Sequence, residues 1–170
     1  MAPKRAYSIA ELNSLADDEF VRVVGPVFEQ SPWIAELGGK KRPFADFDEL
    51  HRALCAGVRN ASVEKQLALI RAHPDLVGNA LLTAESHQEQ SGAGLMNLTT
   101  AEISLFQRLN QSYWTKFGFP FVICARLNKK EAILKAFPER LQHASNEEIT
   151  AALDEIEKIA YWRLNDIIQR

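Results

Sequence analysis

Cysteine is nearly absent: 170 residues hold two, Cys55 and Cys124, far apart and each in an apolar neighbourhood. That is neither a disulfide framework nor a zinc motif, and both side chains are expected as reduced core residues. Long apolar runs are missing as well. No stretch approaches the roughly 20 residues of a membrane-spanning helix. Met1-Ala2-Pro3-Lys4-Arg5-Ala6-Tyr7 carries charge with no apolar segment behind it, so no secretory leader is read and a cytoplasmic location is expected. Neither sign of charge dominates. The 20 Lys and Arg face 22 Asp and Glu, for a net charge of −2, which supplies no electrostatic reason to bind nucleic acid or an anionic membrane. A glycine-rich phosphate loop, a dinucleotide fingerprint and a nucleophile elbow are all lacking, and so is any internal repeat. The partner expected is a small molecule or a protein.

What is present is a 46% hydrophobic, 25% charged chain in which helix starts recur. Ser8 with Glu11 and Thr99 with Glu102 have the capping-box form. Asp17, Asp46 with Glu49, Ser62, Thr83, Asn128 with Glu131, and Ser145 with Glu148 read as further starts, and Ser31-Pro32 as a cap followed by proline at the first helical position. Apolar residues follow at helical spacing: Phe47, Leu50, Leu54 and Val58; Val63, Leu67 and Ile70; Ile103, Phe106, Tyr113 and Phe117; Ile149, Leu153, Ile156, Ala160, Leu164 and Ile167. Pro138 is expected to interrupt the helix it falls in. The continuous apolar run Phe119-Pro120-Phe121-Val122-Ile123-Cys124-Ala125 has no second strand to pair with and reads as a buried extended or helical connector. The fold expected is one all-α domain, residues 1–170, of roughly eight helices.

Polar chemistry gathers in three places. In His73-Pro74-Asp75-Leu76-Val77-Gly78, proline fixes the backbone just after a histidine at a helix end. The imidazole there suits either proton transfer near neutral pH or a hydrogen bond to the last helix carbonyls. In Thr83-Ala84-Glu85-Ser86-His87-Gln88-Glu89-Gln90, Ser86, Glu89 and Gln90 stand at i, i+3 and i+4 and share one helix face. They form either a ligand-reading set or a solvated surface. Arg126, delivered by the apolar connector, needs an anion, which is either a structural carboxylate or a substrate. His73 with Asp75, and His87 with Glu89, lack the helical spacings that aim two ligands at one ion, so no metal is expected. His51 and His143 are given no role. Without catalysis, the same features describe a helical protein-interaction module.

Together these stretches resemble the decarboxylases of 2-oxo-4-hydroxy-4-carboxy-5-ureidoimidazoline (OHCU), which complete the conversion of urate to S-allantoin. The likeness rests on His73-Pro74-Asp75-Leu76, on Thr83-Ala84-Glu85-Ser86 with Glu89-Gln90 and Ala93-Gly94-Leu95, and on Phe117-Gly118-Phe119-Pro120-Phe121-Val122-Ile123 ending in Arg126. It extends to Pro32-Trp33-Ile34-Ala35 and Arg42-Pro43-Phe44. The resemblance implies an all-α fold, a homodimer, no metal or organic cofactor, and a site in which His73 and Glu89 are catalytic while Ser86, Gln90 and Arg126 bind the ureidoimidazoline substrate. Animal members end in a peroxisomal address that Ile168-Gln169-Arg170 does not match, so that location is not implied.

Overall fold

Capping side chains set several of the helix starts in the computed structural model, which describes residues 6–78 and 82–169; the amino-terminal Met1 to Arg5 and Arg170, read above for location, lie outside it. Among the described residues the regular structure is helical. In chain order the α-helices are α1 (Ile9–Ser14), α2 (Asp17–Val24), α3 (Trp33–Gly39), α4 (Phe47–Arg59), α5 (Val63–Ala72), α6 (Ala84–Gly92), α7 (Thr100–Phe117), α8 (Lys130–Arg140) and α9 (Ser145–Asn165), with a 3₁₀ turn at Gly25–Val27. Both capping boxes form, at Ser8 with Glu11 and at Thr99 with Glu102. Asp46 and Thr83 accept from the backbone N–H three residues on, as their spacing predicts.

Other starts differ by a residue or in their chemistry. Asp17 is the first residue of α2 and not its cap, because its carboxylate pairs with Arg42. Pro32, not Ser31, is the cap position of α3. Lys129 caps α8 without a side-chain bond, while the Asn128 amide donates to the Cys124 carbonyl at 3.0 Å. Pro138 stays inside α8; near the end of a helix it removes one backbone bond, and Leu141 N–H still closes on the Phe137 carbonyl at 2.9 Å. At the head of α9 it is Glu147 that reaches back, to Ala144 N–H at 2.7 Å, and Glu148 is buried instead.

The chain forms two compact units, Met1–Ala72 with Glu157–Arg170 and His73–Ile156. In the first, the α4 stripe of Phe47, Leu50, Leu54 and Val58 is buried as its period requires. The α3–α4 approach is so close that a Cβ on Gly38 would lie 2.5 Å from a Leu54 methyl. Arg163 and Glu29, both buried, pair at 3.0 Å. The expected inward stripe of α5 is rotated: Val63 is exposed, and Leu69 and Ile70 are buried. Gln66 precedes the buried pair, and its amide donates to the Val58 and Arg59 carbonyls at 3.0 and 3.1 Å.

In the second unit the core is aromatic. Phe106, Tyr113, Phe119, Phe121 and Phe137 are fully buried, with Phe121 stacked on Phe137 at 3.8 Å. Ile103 of the α7 stripe is partly exposed. Residues 119–125 are buried and lie outside any helix, a connector between α7 and α8. Within this core lies a charged cluster that the sequence reading missed. Glu148, fully buried, meets the Arg140 guanidinium, the Tyr113 hydroxyl and His143 Nδ1. Arg140 also donates to the Val122 carbonyl at 2.6 Å. Burial pushes the Glu148 carboxyl up to about 8 and holds the Arg140 guanidinium down at about 10, the direction that loss of water gives each charge.

Arg140→Leu strands a buried carboxylate and an unpaired backbone carbonyl together. It should lower stability by about 3–5 kcal/mol in urea unfolding. A loss below about 1 kcal/mol would show that the cluster does not hold the core.

Candidate active site

All five sequence-derived site residues, His73, Ser86, Glu89, Gln90 and Arg126, fall in the second unit. Helix α6 carries three of them and is unusual in its packing: its buried side chains are Ser86, Glu89 and Gln90, at 5, 7 and 4% exposure. A solvated surface, the alternative for this run, leaves such residues in water. Here the polar face is the buried face, and His87 is exposed on another side, as the spacing requires. With no apolar stripe to seat it, α6 is held at its ends. Thr83 Oγ1 accepts from Ser86 N–H at 3.2 Å. At the other end the Gln90 carbonyl takes Leu95 N–H at 3.0 Å, the Gly92 carbonyl takes Lys129 Nζ at 2.6 Å and the Ala93 carbonyl takes Lys130 N–H at 3.2 Å. Gly94 makes the turn between them at φ 85°, a conformation that favours glycine.

Arg126 stands just past the buried connector with its side chain one-fifth exposed, and its Nε lies 3.5 Å from Glu89 Oε1. Its anion is therefore a carboxylate of the same candidate site, which joins the two fates left open by the sequence. His73 is 8% exposed and directly follows α5. The turn it leads into is tied to α6, since Val77 N–H donates to Gln90 Oε1 at 3.2 Å. That bond fixes which end of the carboxamide is oxygen and leaves Nε2 as the end Gln90 offers a ligand.

The cysteines do not join this chemistry. Both are free and buried. Burial first, then Glu157, pushes the Cys55 thiol up to about 12, and burial also raises Cys124 above its usual value, so neither is a ready thiolate. Among the described residues no group of three or more His, Cys, Asp and Glu is placed to hold a metal ion, and no helix is long and apolar enough to cross a membrane.

The sequence stretches on which the family resemblance rested hold a buried Ser-x-x-Glu-Gln face, an arginine paired to its carboxylate and a histidine turn bonded to its carboxamide. The family model described as OHCU decarboxylase matches residues 13–165. The chain belongs to the OHCU decarboxylase family. It is 43% identical over 157 residues to the 2-oxo-4-hydroxy-4-carboxy-5-ureidoimidazoline decarboxylase of Haloferax volcanii, covering 92% of this chain and 94% of that one. Among solved structures it is similar to (S)-allantoin synthase, with a TM-score of 0.79 at 30% identity. That match takes in 95% of this chain but 54% of the other. It is also similar to an OHCU decarboxylase crystallised in the presence of (S)-allantoin, with a TM-score of 0.69 at 25% identity over 88% of this chain and 96% of that one.

Within this OHCU decarboxylase unit, sequence reasoning overlooked Asn110. It is 7% exposed on α7 and donates to the Leu76 carbonyl at 2.8 Å. The available signal was position: Asn110 interrupts the stripe of Phe106, Tyr113 and Phe117, and a polar residue on an apolar stripe has to bond to something.

Proposed function

We propose that this chain is a carboxy-lyase that decarboxylates OHCU to S-allantoin, the last step from urate, with no metal or organic cofactor. The observation that carries the reading is α6 burying a serine, a carboxylate and a carboxamide on one face, with Arg126 against the carboxylate. Such a face costs stability unless it is used, and family membership names the substrate class that would use it. The family match runs from residue 13 to residue 165, through both units, which supports residues 1–170 acting as one functional domain. The homodimer belongs to the same proposal, by likeness to the family.

The chemistry asks little of the protein. In the substrate, the carbon that bears the carboxylate also bears a hydroxyl and adjoins a ring C=N bond. When its bond to the carboxylate breaks, carbon dioxide leaves and the electron pair moves into the C=N, whose nitrogen takes a proton. The resulting enol becomes allantoin by losing its hydroxyl proton and gaining one at the ureido-bearing carbon. The imine is the electron sink that a cofactor supplies elsewhere. What remains is orientation and proton delivery. His73 moves the protons, with Glu89 orienting it or the ureido group. Ser86 and the Gln90 Nε2 donor hold polar edges of the ring, and Arg126 holds a developing oxyanion.

The deciding assay generates the substrate fresh, by oxidising urate and hydrolysing the hydroxyisourate formed, and follows circular dichroism. Accelerated appearance of optically active allantoin is expected. A rate no greater than the spontaneous, racemising background would refute the reading. Activity should survive exhaustive chelation, and loss with EDTA that a divalent ion restores would overturn the cofactor-free mechanism.

Arg126→Lys leaves a positive charge beside Glu89 but removes the planar fork. A drop of about 10–100-fold in kcat/KM with little change in Tm is expected. A variant that is chiefly destabilised, with a fully active folded fraction, would make the pair structural only.

His73→Asn should keep the helical circular dichroism and the affinity for substrate analogues, yet lose about 10²–10⁴-fold in turnover. Because one-sided protonation sets the product's hand, the allantoin still formed should be largely racemic. S-allantoin made at near wild-type rate would move proton transfer to another group, with Glu89 the first to examine.

A further inference from the structure

One peptide group, Leu76–Val77, is held at both of its polar atoms by carboxamides from different helices. Asn110 Nδ2 on α7 donates to its carbonyl at 2.8 Å, and its N–H donates to Gln90 Oε1 on α6 at 3.2 Å. One turn further along α7, Trp114 Nε1 donates to Asp75 Oδ1 at 2.9 Å. The conformation so held is not one the chain prefers. Val77 has φ 57°, in the left-handed region that a β-branched residue resists. Released from either carboxamide, this peptide would turn toward an ordinary conformation, and the turn begins at His73.

Asn110 is an expensive way to pack this position. Among the described residues its buried Oδ1 has no hydrogen-bond partner, a defect that an apolar side chain of the same size would not have. The bond its carboxamide makes among them is the donation to Leu76. The turn is also anchored by the buried Leu76 side chain, so the donation is not needed merely to keep the segment attached.

We propose that Asn110 is a positioning residue for decarboxylation. By fixing the Leu76–Val77 peptide against Gln90, it sets the place of His73 relative to the Ser86, Glu89 and Gln90 face. The inference rests on the decarboxylase reading and adds to it a residue that touches no substrate.

Two variants test it in the full-length protein, with wild type assayed beside them. Asn110→Leu removes the donor together with the orphaned oxygen, and Asn110→Asp keeps the shape but turns an acceptor toward the Leu76 carbonyl. Both should fold, with Asn110→Leu melting no lower than a few degrees below wild type. Both should lose about 10–100-fold in kcat, the scale of a catalytic group displaced by about 1 Å, while KM stays within about threefold. Asn110→Asp should also regain activity relative to wild type as the pH is lowered, because a protonated carboxyl can again donate to Leu76. Wild-type kcat and an unchanged pH profile in both variants, beside an active wild type, would overturn the positioning role alone. The same follows if both variants fail to fold, or if they melt lower but turn over normally below the melt, since Asn110 would then be structural. An inactive wild type would overturn the decarboxylase reading beneath it.

Discussion

A carboxylate on the buried face of a helix has to be answered by a cation, and the second unit is built around that requirement. Glu89 is 7% exposed, so bulk water does little to stabilise a charge there. Arg126 answers it at 3.5 Å, and Arg126 stands where it does because a buried connector carries it there. The helix offering Glu89 is likewise placed by bonds at its caps and by Gln90, since it has no apolar stripe of its own. Site geometry here is set by polar contacts of defined direction, and hydrophobic burial closes the space behind them.

The connector has its own requirement. A buried segment outside any helix leaves backbone groups to be paired from elsewhere, and along residues 119–125 side chains supply several of the partners. Arg140 donates to the Val122 carbonyl at 2.6 Å, and Cys124 N–H donates to Glu155 Oε2 at 2.8 Å. The Cys124 carbonyl takes both Leu127 N–H and the Asn128 amide at 3.0 Å. The buried Arg140–Glu148–Tyr113 cluster is therefore coupled to the site through the chain itself, with Val122 four residues before Arg126. A change at Arg140 acts on stability first and on the aim of Arg126 second.

Local chemistry was legible in the sequence wherever it acts over three or four residues. Ser8 with Glu11, Asp46, Thr83 and Thr99 with Glu102 each cap the helix their spacing announces. The i, i+3, i+4 set of Ser86, Glu89 and Gln90 shares a face for the same reason. Departures occur where a distant partner competes for the side chain. Asp17 leaves its cap for Arg42 and Glu148 gives up a capping position for Arg140; at short range, Asn128 bonds back to Cys124 in place of capping α8. Whether residues 119–125 were extended or helical was undecidable locally, because the groups that satisfy them come from Arg140 and Glu155. The bond between Gln90 and Val77 was equally hidden, as nothing in the sequence announces a left-handed valine.

One rule links the residues that were missed. Asn110 lies on the stripe of Phe106 and Tyr113, and Glu148 on that of Ala152 and Ile156, positions where an apolar residue would pack with less difficulty. Each is retained with a bond to backbone or to charge that an apolar residue could not make, and each bond leads toward the site, one through Leu76 to the His73 turn and one through Arg140 to the Arg126 segment. A reaction whose substrate carries its own electron sink gains rate from how rigidly the carboxylate and the proton donor are aimed. Directional bonds inside the core supply that rigidity in a way that apolar contacts, which tolerate sliding, do not. The stability given up at these buried polar positions is thus consistent with a catalyst that works by orientation.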